Sequence, residues 1–180
     1  MIKKNFKLIT GPIRTGVSTS KSLLFLWLKK DLRLIEGKLG IDLAGGSMLN
    51  KKFFMTKKYI CVDLDEKKLK KGINNYPDAL TINDTIENYM RTYNQEKPDL
   101  LVCVQTMGIN KKFNHNQTLI VIKMIYDLLK PGGSMIFNIG NHMVNLNLIE
   151  MKLDELFNEK FKSIKIHSYG FMDKTVQKPS

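Results

Sequence analysis

The sequence predicts an α/β fold: a doubly wound, mostly parallel sheet covered by helices on both faces. Three observations predict it. From residue 38 onward, short apolar runs alternate with segments whose apolar residues fall at helical spacing, the rhythm of successive βαβ units. The runs are nearly continuous in apolar residues, as strands buried on both faces are. Several of them carry a polar residue at or just before their end (Asp42, Asp63, Asn83), which puts polar groups near the carboxyl ends of the strands. Right-handed crossovers then make such a sheet doubly wound.

The elements follow in order. Residues 38–43 form the first strand, closed by Ala44-Gly45-Gly46-Ser47. Residues 58–63 form the second. Residues 65–73 make a helix with acid first and base last, as the helix dipole favours. A third, weaker strand covers 78–83, and a polar helix runs from about 85 to 93. Pro98 introduces a fourth strand at 99–104. In 116–129, Leu119, Ile122, Ile125, Tyr126 and Leu129 recur at helical spacing, and Pro131-Gly132-Gly133 ends that helix. A fifth strand at 134–139, a helix at about 146–158 and a sixth strand at 162–167 complete the alternation. Residues 1–37 stand outside it. Within them, 19–30 read as a helix with Leu23, Leu24, Trp27 and Leu28 on its apolar side. One domain at 38–180 is therefore preceded by a lid or docking segment at 1–37.

The chain has 180 residues, 43% of them apolar, enough for one domain with a substantial core. The longest apolar run, Leu23 to Leu28, lies between Lys21 and Lys29 and is far too short to span a bilayer. The basic N-terminus is not followed by a signal-peptide core. A cytoplasmic protein with no membrane partner is the expectation. Two cysteines, Cys61 and Cys103, make neither a disulfide scaffold nor a zinc site. The net charge of +12 admits RNA or another anionic partner. Only three of the 29 basic residues are arginines, the preferred phosphate fork, so biased codon usage explains the charge as well.

Ligands of an open parallel sheet bind beyond the carboxyl ends of its strands. The turn after the first strand, Asp42-Leu43-Ala44-Gly45-Gly46, is built of small residues that let a ligand approach the backbone. Asp63 ends the second strand, where a carboxylate accepts both hydroxyls of a ribose lying over that turn; Asp65 fits the helix cap and leaves Asp63 free. Asn83 and Asp84 suit an adenine amino group, or alternatively the cap of the next helix.

In this order the residues resemble the class I, Rossmann-like S-adenosylmethionine-dependent methyltransferases. The resemblance runs from about residue 38 to 139. Asp42 to Ser47 is similar to the family's first, glycine-rich motif. Cys61-Val62-Asp63-Leu64-Asp65 is similar to the second, and Asn83-Asp84-Thr85 to the adenine-side motif. Leu128-Leu129-Lys130-Pro131-Gly132-Gly133-Ser134 resembles the turn before the fifth strand. The resemblance implies methyl transfer to a small molecule or RNA, with S-adenosylmethionine as cofactor and S-adenosylhomocysteine as product. It implies that Asp42, Ala44, Gly45, Gly46, Asp63, Leu64, Asn83, Asp84 and Gln105 hold that cofactor, and it implies no metal.

The chain departs from the family at four points. Ala44 stands where glycine is common, which denies the turn a positive φ, and Met48 stands where a third glycine often does. The stretch from 46 to 58 leaves room for a helix of about two turns. Only residues 171–177 remain for the closing antiparallel hairpin, so that hairpin is short or incomplete, or the chain is a piece of something longer or a subunit of a larger assembly.

The catalytic residues are less defined. No Asn-Pro-Pro-Tyr follows the fourth strand, where Val104-Gln105-Thr106-Met107 stand instead. A looser likeness to ribose 2′-O RNA methyltransferases places Leu24, Val104 and Asn138 where catalytic tetrad members belong, so that activity is not carried over. His115 and His142 sit on the binding edge and suit a general base near neutral pH. Tyr89, Tyr93 and Met107 suit the pocket wall or the core, and residues 11–28 suit a lid carrying Arg14. Three other readings compete, among them a dinucleotide oxidoreductase, whose required G-x-G-x-x-G is not present. Residues 11–18 nearly fit a nucleotide phosphate loop, but Val17 replaces its lysine. A catalytically degenerate copy of the fold, serving as a binding subunit, accounts for Ala44 and Met48.

Overall fold

A computed structural model describes residues 19–109, 111–140, 144–157, 163–168 and 171–177. Its seven strands are β1 (Glu36–Leu43), β2 (Met55–Asp63), β3 (Leu80–Asn83), β4 (Leu100–Cys103), β5 (Ser134–Gly140), β6 (Ser163–Ser168) and β7 (Phe171–Gln177). The helices are α1 (Thr19–Leu32), α2 (Glu66–Asn75), α3 (Ile86–Thr92), α4 (His115–Leu128) and α5 (Leu146–Phe157). The strands form one sheet in the order β3-β2-β1-β4-β5-β7-β6. The first five are parallel, as the sequence predicts. β7 runs antiparallel to β5 and pairs with all seven of its residues, from Ser134 opposite Gln177 to Gly140 opposite Phe171. β6 pairs with the other edge of β7.

Period-two alternation sorts the side chains onto two faces. Leu39, Ile41 and Leu43 of β1, Leu101 and Cys103 of β4, and Met135, Phe137 and Ile139 of β5 join one cluster with buried residues of α3, α4 and α5. On the opposite face Leu24, Leu28 and Leu32 of α1 pack with Leu100, Val102, Val104 and Ile136. Leu69 of α2 packs there on Tyr59 and Cys61. Helices thus cover both faces, the doubly wound arrangement. α1 is docked against the sheet. Residues 11–18 of the suggested lid, with Arg14 and the phosphate-loop-like stretch, lie outside the described residues.

The connection from β1 to β2 differs from the expected two-turn helix. It is a chain of three-residue turns: Met48 donates to Gly45, Lys51 to Met48, Phe53 to Asn50 and Phe54 to Lys51, with one 3₁₀ turn at Lys51–Phe53. Met48 has φ +61°, which no α-helix continues through, and the tighter turns use the remaining residues to reach β2. Gly40 lets this connection lie close on β1, because a Cβ there would meet Phe54 and Thr56 at 2.6 Å.

Candidate functional site

β1 and β4 are sheet neighbours although two strands and two helices separate them in sequence, so the strand order reverses between them. A crevice opens beyond the carboxyl ends of strands at such a point. There the turn after β1 is in close contact with β2. The Gly45 amide donates to the Val62 carbonyl at 3.3 Å, and the Gly46 amide donates to Asp63 Oδ2 at 2.8 Å. Asp63 Oδ1 accepts the Asp65 amide at 2.8 Å. Asp65 caps α2, accepting the Lys68 amide at 3.1 Å, and that bond holds its carboxyl below the usual range. Asp65 therefore does the capping, as the sequence suggests. Asp63 is not idle, however, since its carboxylate ties the glycine turn to the start of α2.

Ala44 corrects an expectation. It adopts φ +54°, so the left-handed turn survives without a glycine, and Gly46 at +55° continues the same backbone course. Met48 does not intrude either. Its side chain is fully buried against Gly72 of α2, where an added Cβ would lie 2.8 Å from Met48 Cγ. Ala44 and Met48 thus both occupy left-handed backbone, at φ +54° and +61°.

Asp42 is fully buried beneath this turn. Its Oδ2 accepts the Tyr59 hydroxyl at 2.8 Å, and its carboxylate accepts Asn50 Nδ2 at 3.2 and 3.3 Å. Register explains the meeting: Asp42 pairs with Cys61, so it shares a sheet face with Cys61 and with Tyr59 two residues earlier. Burial pushes the Asp42 carboxyl up to about 7, against the pull of the Tyr59 and Asn50 bonds. Burial likewise raises Tyr59 and Cys61 well above their ordinary values. A Cβ on Gly45 would lie 2.7 Å from Asp42 Oδ2, so glycine is required over the carboxylate.

After β3, Asn83 Nδ2 donates to the Asp63 carbonyl at 3.0 Å. Thr85 caps α3 by accepting the Asn88 amide at 3.0 Å. Asp84 is thus not the cap; its Oδ1 accepts the Thr85 amide and its Oδ2 the Asn88 side chain, each at 2.7 Å. After β4, Gln105 has φ +60° and donates its amide to the buried Asn138 Oδ1 at 2.6 Å. The Gly140 amide donates to Met107 at 2.9 Å, which fastens this loop to the end of β5.

These loops enclose a cavity of about 370 Å³. Of the residues expected to hold a cofactor, Ala44, Asp63, Leu64, Asp84 and Gln105 line it. Asp42, Gly45, Gly46 and Asn83 do not; they support the lining from behind. Thr85 of the adenine-side motif also lines it, as do Lys68, Ile86, Glu87, Thr106, Lys112 and Phe113, which were not among the expected cofactor residues. Phe113 had a signal, being a lone aromatic in the polar stretch from 110 to 117. Lys68 had none, because α2 carries four lysines and only the register of the helix turns one of them inward. Tyr89, Tyr93 and Met107 belong to the core, with the two tyrosine rings edge to face at 5.5 Å.

His115 is the first residue of α4 and is not in the lining; its Nδ1 is buried without a hydrogen-bond partner among the described residues. His142 lies outside the described residues. No cluster of His, Cys, Asp and Glu suited to a metal occurs among the described residues. Nor is any described helix long and apolar enough to cross a membrane.

No protein-family model matches the chain, and neither does any curated protein. Solved structures do. The N-methyltransferase NodS from Bradyrhizobium japonicum WM9 superposes with a TM-score of 0.65 at 12% identity, over 89% of this chain and 96% of that one. A ribosomal RNA methylase from Streptococcus thermophilus gives 0.64 at 17%, over 92% and 100%. The plantazolicin methyltransferase BpumL, solved with S-adenosylhomocysteine, gives 0.68 at 10%, over 87% and 84%. The chain has the fold of the class I S-adenosylmethionine-dependent methyltransferases. In this methyltransferase fold the cavity lies at the switch in strand order, between the glycine turn and the β4–α4 loop.

Proposed function

We propose that the chain binds S-adenosylmethionine and transfers its methyl group to an acceptor. The observation that carries this reading is the cavity itself. It joins a left-handed glycine turn, a carboxylate at the tip of β2 and a second carboxylate after β3 at the reversal of strand order. That BpumL was solved with S-adenosylhomocysteine supports it. Asp63 suits the ribose hydroxyls, because each of its oxygens accepts one amide and keeps a second lone-pair direction. Asp84, beyond β3, suits the adenine side.

The sulfonium supplies a good leaving group, so transfer is an in-line displacement that depends mainly on positioning. The chain's own contribution is to orient the two reactants and exclude water. An oxygen acceptor also needs a base. His115 and His142 remain the proposed bases, and Gln105 and Thr106 offer polar side chains at the cavity wall. RNA stays a proposed acceptor on the strength of the +12 charge and the likeness to an rRNA methylase.

Titration calorimetry with S-adenosylmethionine, S-adenosylhomocysteine, ATP and NAD tests the reading. Binding of the first two, lost in Asp63→Ala, is expected. Binding of ATP or NAD alone would overturn it. Binding of both methionine nucleosides without transfer to any acceptor would favour the degenerate, non-enzymatic reading.

A further inference from the structure

We infer that Asp42 is a buried counter-charge that makes the glycine turn favour a sulfonium ligand over its uncharged thioether product, more strongly as its carboxyl loses its proton. The inference rests on the proposed cofactor reading and goes beyond it. It gives a positioning and discriminating role to a residue that lines no part of the cavity.

Asp42 lies directly under Gly45, between the turn and the sheet, and is fully buried. The groups that face it are few. From β2 come the Tyr59 hydroxyl, which donates at 2.8 Å, the Cys61 thiol and, at the strand's end, the Asp63 carboxylate. From the β1–β2 connection comes Asn50 Nδ2. On β4 the neighbour on this face is the apolar Val102, while the Cys103 thiol lies on the other face but still feels the Asp42 charge. Among the described residues no lysine, arginine or histidine neutralises Asp42, and the nearby Asp63 repels its ionised form. A fully buried carboxylate with two neutral donors and no cation is an incomplete electrostatic arrangement.

A cationic sulfur bound in the cavity, which Ala44 of the same turn lines, would complete it. The ionised carboxylate attracts a positive charge bound in the neighbouring cavity through the protein interior, where the field is screened less than in water. The neutral thioether receives no such attraction. Linkage then fixes the sign. A ligand that favours ionised Asp42 binds more tightly once the carboxyl is ionised, and its binding near neutral pH expels a proton. Burial sets this titration at about pH 7 in the free protein. Product would therefore be held less tightly than substrate on the alkaline side.

The test measures the affinities of S-adenosylmethionine and S-adenosylhomocysteine for the full chain from pH 5.5 to 8.5. The ratio favouring the sulfonium should rise about tenfold, the change that one unit of carboxyl pKa produces. Repeating the titrations near pH 7 in buffers of different ionisation enthalpy should show more proton release for the sulfonium. Asp42→Asn keeps the shape and removes the charge. Ionisations of the ligands themselves are common to both proteins, so the difference between the two pH profiles isolates Asp42. Tyr59→Phe removes a donor to the ionised form and should move the midpoint to higher pH, which keeps the test open if Asp42→Asn does not fold. Superimposable profiles for the wild type and Asp42→Asn, or an unmoved midpoint in Tyr59→Phe, would overturn the inference. If both ligands bind the wild type with a ratio indifferent to pH, this inference alone fails. If neither binds, the cofactor reading fails first.

Discussion

The Gly46 amide and the Asp63 carboxylate are joined by a 2.8 Å hydrogen bond that bridges the turn after β1 and the tip of β2. The same carboxylate accepts the Asp65 amide with its other oxygen. One side chain thus fixes the spacing of two loops that both border the cavity. A structural role and the proposed binding role therefore meet in Asp63.

Asp63→Ala removes both bonds and the carboxylate that suits the ribose. Affinity for S-adenosylhomocysteine should fall about 100-fold or more, since hydrogen bonds to a charged group contribute roughly 1.5–3 kcal/mol each. Asp63→Asn keeps one acceptor oxygen and should preserve the fold while still weakening binding. Calorimetry alongside a thermal melt distinguishes the two effects. Unchanged affinity in a folded Asp63→Ala would remove Asp63 from the site.

Two left-handed glycines make a second prediction, Gly108 in the β4–α4 loop and Gly132 in the turn between α4 and β5. Gly108 has φ +66°, and a Cβ there would lie 2.1 Å from the Gly140 carbonyl oxygen. Gly132 has φ +77°, and a Cβ there would meet nothing within 4 Å. Gly132→Ala meets only the backbone penalty, about 1–2 kcal/mol. Gly108→Ala meets that penalty and a collision between backbone and side chain, so its urea midpoint should fall much further. It should also disturb the bond from Gly140 to Met107 and displace Gln105 and Thr106 from the cavity wall. Equal losses in the two variants would contradict the assigned close approach.

How much of this was legible in the sequence depends on the physics behind each feature. The parallel strands were legible because a strand buried on both faces must be apolar along its length, as residues 58–63 are. The connection between β1 and β2 was not. A two-turn helix and a string of three-residue turns have similar lengths, and only the positive φ of Met48 separates them. Ala44 misled for a related reason: intrinsic preference disfavours the left-handed region, yet the bonds from Gly45 to Val62 and Gly46 to Asp63 hold the turn there. Asp63, Asp84 and Gln105, expected from their places after strand ends, line the cavity because strand ends point at the crevice. Asp42 was found as part of the same motif, but its turn toward Tyr59 is a matter of register between β1 and β2, which no local pattern encodes. Glu87, Lys112 and Phe113 come from loops and a helix start whose inward residues are chosen by tertiary packing.

Ala44 and Met48 give a third prediction, because they share a strained backbone but not a packing role. Ala44→Gly relieves the left-handed penalty of about 1–2 kcal/mol and concedes about 0.5–1 kcal/mol of added unfolded-state entropy. The variant should be slightly more stable than the wild type. Met48→Gly relieves the same strain but empties a fully buried site beside Gly72, Tyr59 and Leu69, at a cost of about 2–5 kcal/mol. It should be clearly less stable. Urea unfolding of both variants checks the sign of each change, and a destabilised Ala44→Gly would show that the alanine methyl packs better than its surroundings suggest.

Asp42 makes stability itself depend on pH, independently of any ligand. Its carboxyl is raised from 3.8 in the unfolded reference to about 7 in the folded chain, chiefly by burial. Between those values the folded state holds a proton that the unfolded state has lost. The contribution to stability is therefore fully present below about pH 4 and is lost as pH rises toward 7. Asp42→Asn carries no such proton. Relative to the wild type, the variant should gain stability through this window by about 1.4 kcal/mol per pH unit, of order 4 kcal/mol in all, and the difference should level off above about pH 7. Other titrating groups contribute to both proteins and cancel in the comparison. Urea unfolding at half-unit steps from pH 4 to 8 measures the difference directly. A difference that stays constant across the window would mean that Asp42 is ionised in the folded chain at every pH tested, stabilised by its Tyr59 and Asn50 bonds more strongly than burial opposes it.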